Sequence, residues 1–422
     1  MCDRKPPVVS RNLVPLRRNR DFVLLQTGQA LSTVGSESAA VAYSLLVIEL
    51  THSPAKAGLT AFARLVPWVL FALPAGVAVD RWNRKWLMIA SDAVRTGALA
   101  ALGVTAATGH LTFELVPAVA FVEGAMYVVF NIAEVGAVRS VVPTPQLPRA
   151  FATEQARLSG VYLAGPPLGG FLFGVGRSLP FLVDAVSYAF STATLLAMRT
   201  PFQEERAADR RPSVVAEVRE GLEWLWSRPF LRTCALLFAA GNFSFAALEL
   251  TLIVAARRQG LSSAAVGGLI GAVGALSLLG SLAAPRFQRL LTMRMVLVTT
   301  EWLALGVGAY LIWPNVFVLV AGAVPCFFLN PTLNAMIIGY RTALVPDRLQ
   351  GRVTSVARTL ALLGLPLGPV AAGALLGSFS TRTTVAFLVA WFALVAAVAT
   401  ASRAVRDAPG FDEVAQAQAA VS

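Results

Sequence analysis

Two acidic side chains lie deep inside apolar stretches of this sequence. Glu37 is fifteen residues into the run that begins at Phe22, a rise of roughly 22 Å along a helix, and Glu123 is similarly deep in another run. A carboxyl group held away from water favours its neutral form, which is what a carrier of protons requires. Each is therefore a candidate for binding a proton or a substrate, and a purely structural ion pair is the equal alternative.

Further charged residues inside apolar runs extend this group of candidates. Arg64 is placed to pair with one of the two carboxylates, while Glu249 and Glu301 are weaker proton candidates further along the chain. Asp184 is expected near a helix end, where contact with water is enough to explain it.

A separate concentration of charge is the stretch GVAVDRWNRKW, which covers residues 76–86 between two apolar runs. It contains one acid, Asp80, and three cations, Arg81, Arg84 and Lys85. A basic loop at a membrane surface explains the cations. It does not explain Asp80, which therefore needs a reason of its own.

Composition predicts the elements that position these residues. Of 422 residues, 56% are hydrophobic and 14% are charged, and the mean hydropathy is +0.66. Crossing a bilayer takes roughly 20 mostly apolar residues, because a helix must satisfy its own backbone there. We therefore expect an all-α polytopic membrane protein with twelve transmembrane helices, at 22–50, 57–79, 86–107, 115–138, 151–175, 179–198, 233–256, 264–284, 295–312, 316–340, 353–376 and 383–401.

The net charge of +12 follows the connections between these helices. With the N-terminus inside, the inner loops and tails carry 26 Lys and Arg residues and the outer loops carry five. This positive-inside pattern predicts cytoplasmic termini and a lipid bilayer, rather than nucleic acid, as the partner of the charge. Arg257 and Arg258 are the exception, and they are expected to mark a misplaced end of the seventh span.

An internal repeat predicts two related halves. VVPTPQLPRA from Val141 matches LVPDRLQGRV from Leu344 at an offset of 203 residues, and the same offset carries Gly165, Pro166 and Gly170 onto Gly368, Pro369 and Gly373. Parallel repeats of six spans build one large class of secondary transporters. The predicted units are a basic tail (1–21), a six-helix half (22–198), a linker (199–232), a second six-helix half (233–401) and a final tail (402–422).

The linker contains a predicted amphipathic helix. Val214, Val218, Leu222 and Leu225 share one helical face, with two tryptophans nearby. Such a helix is expected to lie on the inner membrane surface, and a solvated connector is the alternative.

The charged loop carries a family resemblance. Its residues Gly76, Asp80, Arg81, Arg84 and Lys85 resemble the signature loop of the major facilitator superfamily, with Asn83 where that family often has glycine. The resemblance implies a fold of two pseudo-symmetric six-helix halves. It also implies that the loop braces the inner gate, with Asp80 facing the start of span eleven, where this chain has Arg352.

Two further features bear on that gate. Glu134 and Arg139 flank the inner end of span four and are expected gate partners of the loop. In the second half, Ala284 stands where the acid would be. The brace is therefore expected on one side only.

The sequence GPPLGG in span five resembles the antiporter motif of the same superfamily, which is associated with exporters. Proline removes a helix hydrogen bond and glycine admits a neighbouring backbone, so this motif is an expected hinge. Ordinary small-residue packing is the alternative. The hinge residues are Gly165, Pro166, Gly169 and Gly170, echoed by Gly368 and Pro369. Stretches such as RDFVLLQTGQALSTVGSESAA, ELTHSP and GRVTSV resemble the subgroup that contains macrolide and siderophore exporters.

These resemblances imply a monomeric inner-membrane exporter of a small amphipathic compound, drug-like, macrolide-like or siderophore-like, working by proton antiport and alternating access. An importer or facilitator of a small metabolite with the same fold stays open. The sequence has no GxxxxGK[ST] loop, so a proton gradient rather than a cofactor is the expected source of energy. Three scattered cysteines and two distant histidines predict neither a metal site nor an enzyme.

Overall fold

The computed structural model describes residues 14–202 and 214–407, and helices account for most of them. We use inner end for the end of the bundle at which the first helix begins. The first half contains α1 (Arg20–Thr51), α2 (Pro54–Arg81), α3 (Arg84–Thr108), α4 (Leu115–Val141), α5 (Leu147–Val175) and α6 (Leu179–Ala197). After a shorter helix, α7 (Val214–Trp226), the second half contains α8 (Pro229–Arg258), α9 (Ser263–Leu290), α10 (Met293–Leu303), α11 (Val316–Leu344), α12 (Gln350–Leu362), α13 (Leu367–Ser378) and α14 (Thr381–Ala401), followed by α15 (Arg403–Arg406).

Eleven helical segments of the described chain are long and apolar enough to cross a membrane. The ninth predicted span is different, because α10 continues as a 3₁₀-helix over Ala304–Leu311. The expectation of one regular α-helix at 295–312 was therefore wrong. Gly306 of this segment lies backbone to backbone against Gly322 of α11, where a Cβ on either residue would not fit.

The eleventh predicted span is also broken. Its inner part is α12 and its outer part is α13, and a turn around Leu363–Pro366 separates them. Pro366 has no backbone N–H to continue the helix ladder. The segment 353–376 thus crosses the membrane as two helices rather than one.

The paired arginines at the outer end of span seven belong to α8, which extends to Arg258. Arg257 donates to the backbone carbonyl of Leu261 at 3.1 Å. Arg258 donates to the Thr381 hydroxyl at 2.9 Å and to the Leu376 carbonyl at 2.6 Å. These cations therefore hold helix ends together, and the seventh span ends later than predicted.

The two halves meet along two helix pairs, α5 with α9 and α2 with α13. The internal repeat makes these pairs equivalent, since it relates α2 to α9 and α5 to the α12–α13 segment. Both contacts are closest towards the outer end. Gly58 of α2 lies against the backbone of Pro369 and Gly373, and Gly170 of α5 lies against Ser263 and Gly267 of α9.

Towards the inner end the same helices separate. Helix α2 packs closely along α13, the outer part of its partner segment, and hardly touches α12, the inner part. The outer end is closed and the inner end is open, so the molecule is in an inward-facing conformation.

The linker helix α7 packs on the inner end of α12. Leu225 is buried in a cluster with Val353 and Val356 of α12, and Gly221 lies against the backbone of Arg352. Leu222 of the predicted apolar face is exposed. The helix therefore uses only part of that face against the protein, and the side chain of Val214 lies outside the described residues.

Candidate functional site

A cavity of about 340 Å³ lies between the two halves. Its walls come from α1, α2, α8, α9, α11 and α13, which places it at the seam where the halves meet. Most of the wall is apolar, and its large side chains include Leu65, Phe245, Leu248, Ile270, Leu319 and Phe327. Such a surface binds an apolar body with little discrimination, so orientation depends on the few polar groups.

The predicted pairing of Arg64 with a deep carboxylate is present in the structure. Its Nε donates to Oε2 of Glu123 at 2.9 Å, and its Nη2 donates to the Ser36 carbonyl at 3.3 Å. Glu123 is only 1% exposed. Gly124 lies against the Arg64 backbone, where a Cβ would not fit, and this close approach of α2 to α4 brings the two charges together. The pair is neutral as a unit.

Glu37 and Glu249 have a different setting from Glu123. Glu37 comes from α1 in the first half and Glu249 from α8 in the second, and both line the cavity. Neither forms an ion pair or a hydrogen bond with a described residue. Both side chains face the open space of the cavity, since Glu249 is exposed and Glu37 is half-buried. The cavity thus has, from each half, one carboxyl group without an ion-pair partner in the described chain.

The structure places Glu301 in a second cavity of about 390 Å³, in the inner part of the second half. Arg341 and Arg358 also line this cavity, and the guanidinium of Arg358 lies 5.1 Å from the centre of the Trp68 ring of α2. Phe245 borders both cavities. Glu301 is therefore apart from the central carboxylates, although the two spaces adjoin.

Asp184 was misjudged from the sequence, because it is 0% exposed rather than solvated. Its Oδ1 accepts from the Ser187 hydroxyl at 3.0 Å. Asp184, Ser187, Tyr188 and Ser191 are spaced as one face of α6, and this polar face is the signal that could have identified a buried site. All four are buried within the first half.

The cations of the signature loop contact helix ends. The Lys85 ammonium donates to the carbonyl of Met198, just after α6, at 2.6 Å. Arg84 packs against Gly136 of α4 and approaches Asp80 at 3.9 Å. Asn83, at the position where the family often has glycine, caps α3 by accepting from the backbone N–H of Lys85 at 3.0 Å. The loop therefore joins α3 to α4 and α6 in this conformation, with Arg81 exposed.

The expected gate partners are divided between two places. Glu134 is 4% exposed and accepts from Arg157 of α5 at 3.0 Å, whereas Arg139 is exposed at the inner end of α4. The structure therefore brings Glu134 into the interior of the first half. Its role at the gate stays a prediction.

Arg352 pairs with the linker helix in this inward-facing conformation. Its guanidinium contacts Glu217 at 3.0 Å and also Glu220, both on α7. The predicted partnership of Arg352 with Asp80 belongs to the opposite conformation, in which the inner ends meet, and it stays a prediction. Ala284, at the position equivalent to Asp80, is 6% exposed.

The residues predicted as a hinge lie at close helix contacts. Gly165 lies against Glu37, and Gly169 lies against the Ser38 backbone. Helix α5 therefore approaches α1 closely next to Glu37, which lines the cavity. The Ser38 hydroxyl donates to the Gly165 carbonyl at 2.9 Å. Gly368 makes the corresponding contact between α13 and Phe243 of α8. Helix α5 remains continuous through its prolines, and movement at this point stays a prediction.

Comparison with known proteins agrees with this architecture. The family model described as Major Facilitator Superfamily matches residues 26–300. The multidrug efflux pump Tap of Mycolicibacterium fortuitum is 27% identical over 82% of this chain and 86% of its own length. Macrolide efflux protein A of Streptococcus pyogenes is 25% identical over 48% of this chain and 50% of its own length.

A solved structure shares the fold. It is a bacterial homologue of the human lysosomal transporter Spinster, described as inward-facing and unoccupied. The TM-score is 0.71 with 14% sequence identity, and the match covers 92% of this chain and 98% of that one. At this identity the likeness concerns the fold alone.

Proposed function

Because the chain belongs to the Major Facilitator Superfamily, we propose that it exports amphipathic organic cations across the plasma membrane in exchange for protons. Membership makes it a multi-pass membrane transporter of small molecules and not an enzyme. Export as the direction is supported by the relatives, which are named as efflux proteins.

The observation that carries the substrate class is the presence, in an apolar cavity, of two carboxyl groups without an ion-pair partner in the described chain. Glu37 and Glu249 line it from opposite halves, and the one cation among the residues lining this cavity, Arg64, is already paired with Glu123. A lipophilic body fits the walls, and a positive charge is the complement of the two carboxylates. An anion would find no free cation among these lining residues.

The same two groups couple the substrate to protons. When protonated, Glu37 and Glu249 are neutral and attract a cation weakly; once they release their protons, they bind it through charge. Proton and cation therefore compete for one site. Because the two groups belong to different halves, a bound cation attracts both halves towards the centre and favours closure of the open inner end.

The proposal includes the orientation of the chain in the membrane and its assembly state. The excess of Lys and Arg at the inner end supports cytoplasmic termini in the plasma membrane. The cavity is formed by a single chain, which supports a monomer as the working unit.

Transport into inverted membrane vesicles tests this function. With an acidic lumen and the membrane potential clamped by potassium and valinomycin, tetraphenylphosphonium should accumulate, and a protonophore should abolish the accumulation. Tetraphenylborate, an anion of matched shape, should not accumulate. If cations are not taken up under these conditions but leave the vesicles, the direction is wrong and the importer remains.

Glu37→Gln tests the coupling. Removing the titratable group should abolish the dependence of tetraphenylphosphonium uptake on the pH gradient while leaving downhill exchange measurable. Glu114→Gln is the matched control, since Glu114 is exposed at the outer end of α4. Unchanged dependence on the gradient in Glu37→Gln would contradict the assignment and move it to Glu249 or Glu123.

A further inference from the structure

We propose that a small polar cavity inside the first half is the route by which protons travel from the central carboxyl groups to the inner side, apart from the substrate cavity. This inference rests on the proposed proton exchange. It assigns a relay role to Glu134, whose side chain lies in the first half rather than at the seam between the halves.

The cavity lies between α1, α3, α4 and α5 and has a volume of about 30 Å³. That volume accommodates about two water molecules. Its lining is largely polar and includes Ser36, Arg95, Tyr127, Glu134, Glu154 and Arg157. A space of this composition holds water, whereas an apolar void of the same size stays dry.

The inner end of the cavity has buried polar atoms without a hydrogen-bond partner in the described chain. Arg157 donates a hydrogen bond from Nη2 to Glu134. Its Nε and Nη1 have no hydrogen-bond partner in the described chain, and neither does Oε2 of Glu154. Buried polar atoms of this kind are normally hydrogen-bonded. Glu154 and Arg157 are half-buried on α5 near the open inner end, so water entering there reaches Glu134.

The other end of the cavity leads to the central pair through Ser36. Its hydroxyl lies 2.6 Å from the hydroxyl of Tyr188, which also bonds Arg95. The Ser36 carbonyl accepts from Arg64, the partner of Glu123. Ser36 also directly precedes Glu37 in α1. Ser36 therefore lies between the small cavity and the central carboxyl groups, and water in the cavity completes the proposed connection with Glu134.

A proton moves along this route by exchange of hydrogen-bonded protons. The neutral carboxyl group of Glu37 gives its proton to cavity water, the water gives a proton to the Glu134 carboxylate, and Glu134 passes it to water beside Glu154. One proton leaves and each relay group returns to its starting state. The other charges around Glu134 are Arg157 and Glu154 of α5 and the Arg95–Asp92 pair of α3, joined at 3.1 Å.

The route is needed when substrate occupies the central cavity. An amphipathic cation displaces the water along the apolar walls, and this water is the direct path for a proton to the inner side. The cavity in the first half stays hydrated when substrate is bound. Release of the proton and binding of the cation can therefore occur in the same conformation.

Proton release on substrate binding tests the route. Tetraphenylphosphonium is added to the full chain in nanodiscs, release is followed with a pH-indicator dye by stopped flow, and equilibrium binding is measured at acidic and alkaline pH. Glu134→Gln should slow release at least about tenfold, as expected for loss of a positioned proton acceptor, and leave the competition between proton and cation intact. Ser36→Ala removes a hydroxyl without a charge change and should act in the same direction if Glu134→Gln does not fold. Glu114→Gln is the control.

The outcomes separate the two proposals. Wild-type rates in both cavity variants would overturn the route and leave the proposed function standing. Loss of the equilibrium competition in Glu134→Gln would also overturn it, because Glu134 would then be the proton-binding site itself. A wild-type protein that releases no proton on binding the cation refutes the proposed function and the route together.

Discussion

Gly58 of α2 is the position at which the closed outer end is most easily disturbed. Its Cα faces the backbone of Pro369 and Gly373 across the seam between the halves, and a Cβ would fall against the Pro369 carbonyl oxygen, with the Cα of Gly373 at 3.2 Å. Backbone atoms cannot turn aside as a flexible side chain can. In Gly58→Ala the two helices must therefore separate wherever the outer end is closed.

The size of the effect follows from overpacking. An extra methyl group in a well-packed contact costs about 1–3 kcal/mol, and here the cost applies to the inward-facing conformation, because the outer ends part in the other one. The ratio of inward-facing to outward-facing molecules should fall about 5- to 150-fold. The gain in helix propensity from glycine to alanine is the same in both conformations and does not enter the ratio.

Distances between spin labels measure this ratio. Lys56→Cys and Ser378→Cys place labels on exposed positions of α2 and α13 at the outer end, in a background without native cysteines. Gly58→Ala should add a population with a longer distance. Gly97→Ala and Gly174→Ala, where a Cβ meets nothing within 4 Å, should leave the distribution unchanged. A wild-type distribution in Gly58→Ala, or an equal shift in the controls, would refute the reasoning.

Three further predictions concern the charges. Arg64→Met leaves Glu123 buried without a partner and should lower stability by about 3–5 kcal/mol; adding Glu123→Gln should recover most of the loss in thermal unfolding, and purely additive effects would contradict the pairing. Combined Glu217→Gln and Glu220→Gln should free Arg352 and raise the outward-facing fraction, measured with labels at the inner end. Asp80→Asn should lower that fraction while tetraphenylphosphonium binding stays normal, and equal loss of switching and binding would make Asp80 merely structural.

The spans could be predicted because burial in lipid acts on each segment alone. Apolar length and the placement of Lys and Arg are local properties of the sequence, and they located the helices to within a few residues. The 3₁₀ segment at Ala304–Leu311 could not be predicted in this way, because it accompanies the contact between Gly306 and Gly322 on a neighbouring helix. The turn before Pro366 had a local signal in the proline itself.

The candidate site could be predicted where a charged side chain lies in an apolar run, because burying a charge there is costly. Glu37, Glu123 and Arg64 stood out because charge is rare in apolar runs, and their depth in the helices follows from residue counts. Partners were harder to predict: Glu134 binds Arg157, 23 positions away on another helix. Asp184 was misread because distance from a helix end does not reveal whether that end is covered by neighbours.

Ala284 limits which substitutions the second half can accept. The two halves are related by an internal repeat, yet the position that matches Asp80 is enclosed by protein and only 6% exposed. Ala284→Asp would no longer restore a surface acid; it would place a carboxylate among packed helices without a prepared partner. A single substitution at this position would therefore not give the second half a working copy of the Asp80 brace, and the two halves are not interchangeable there.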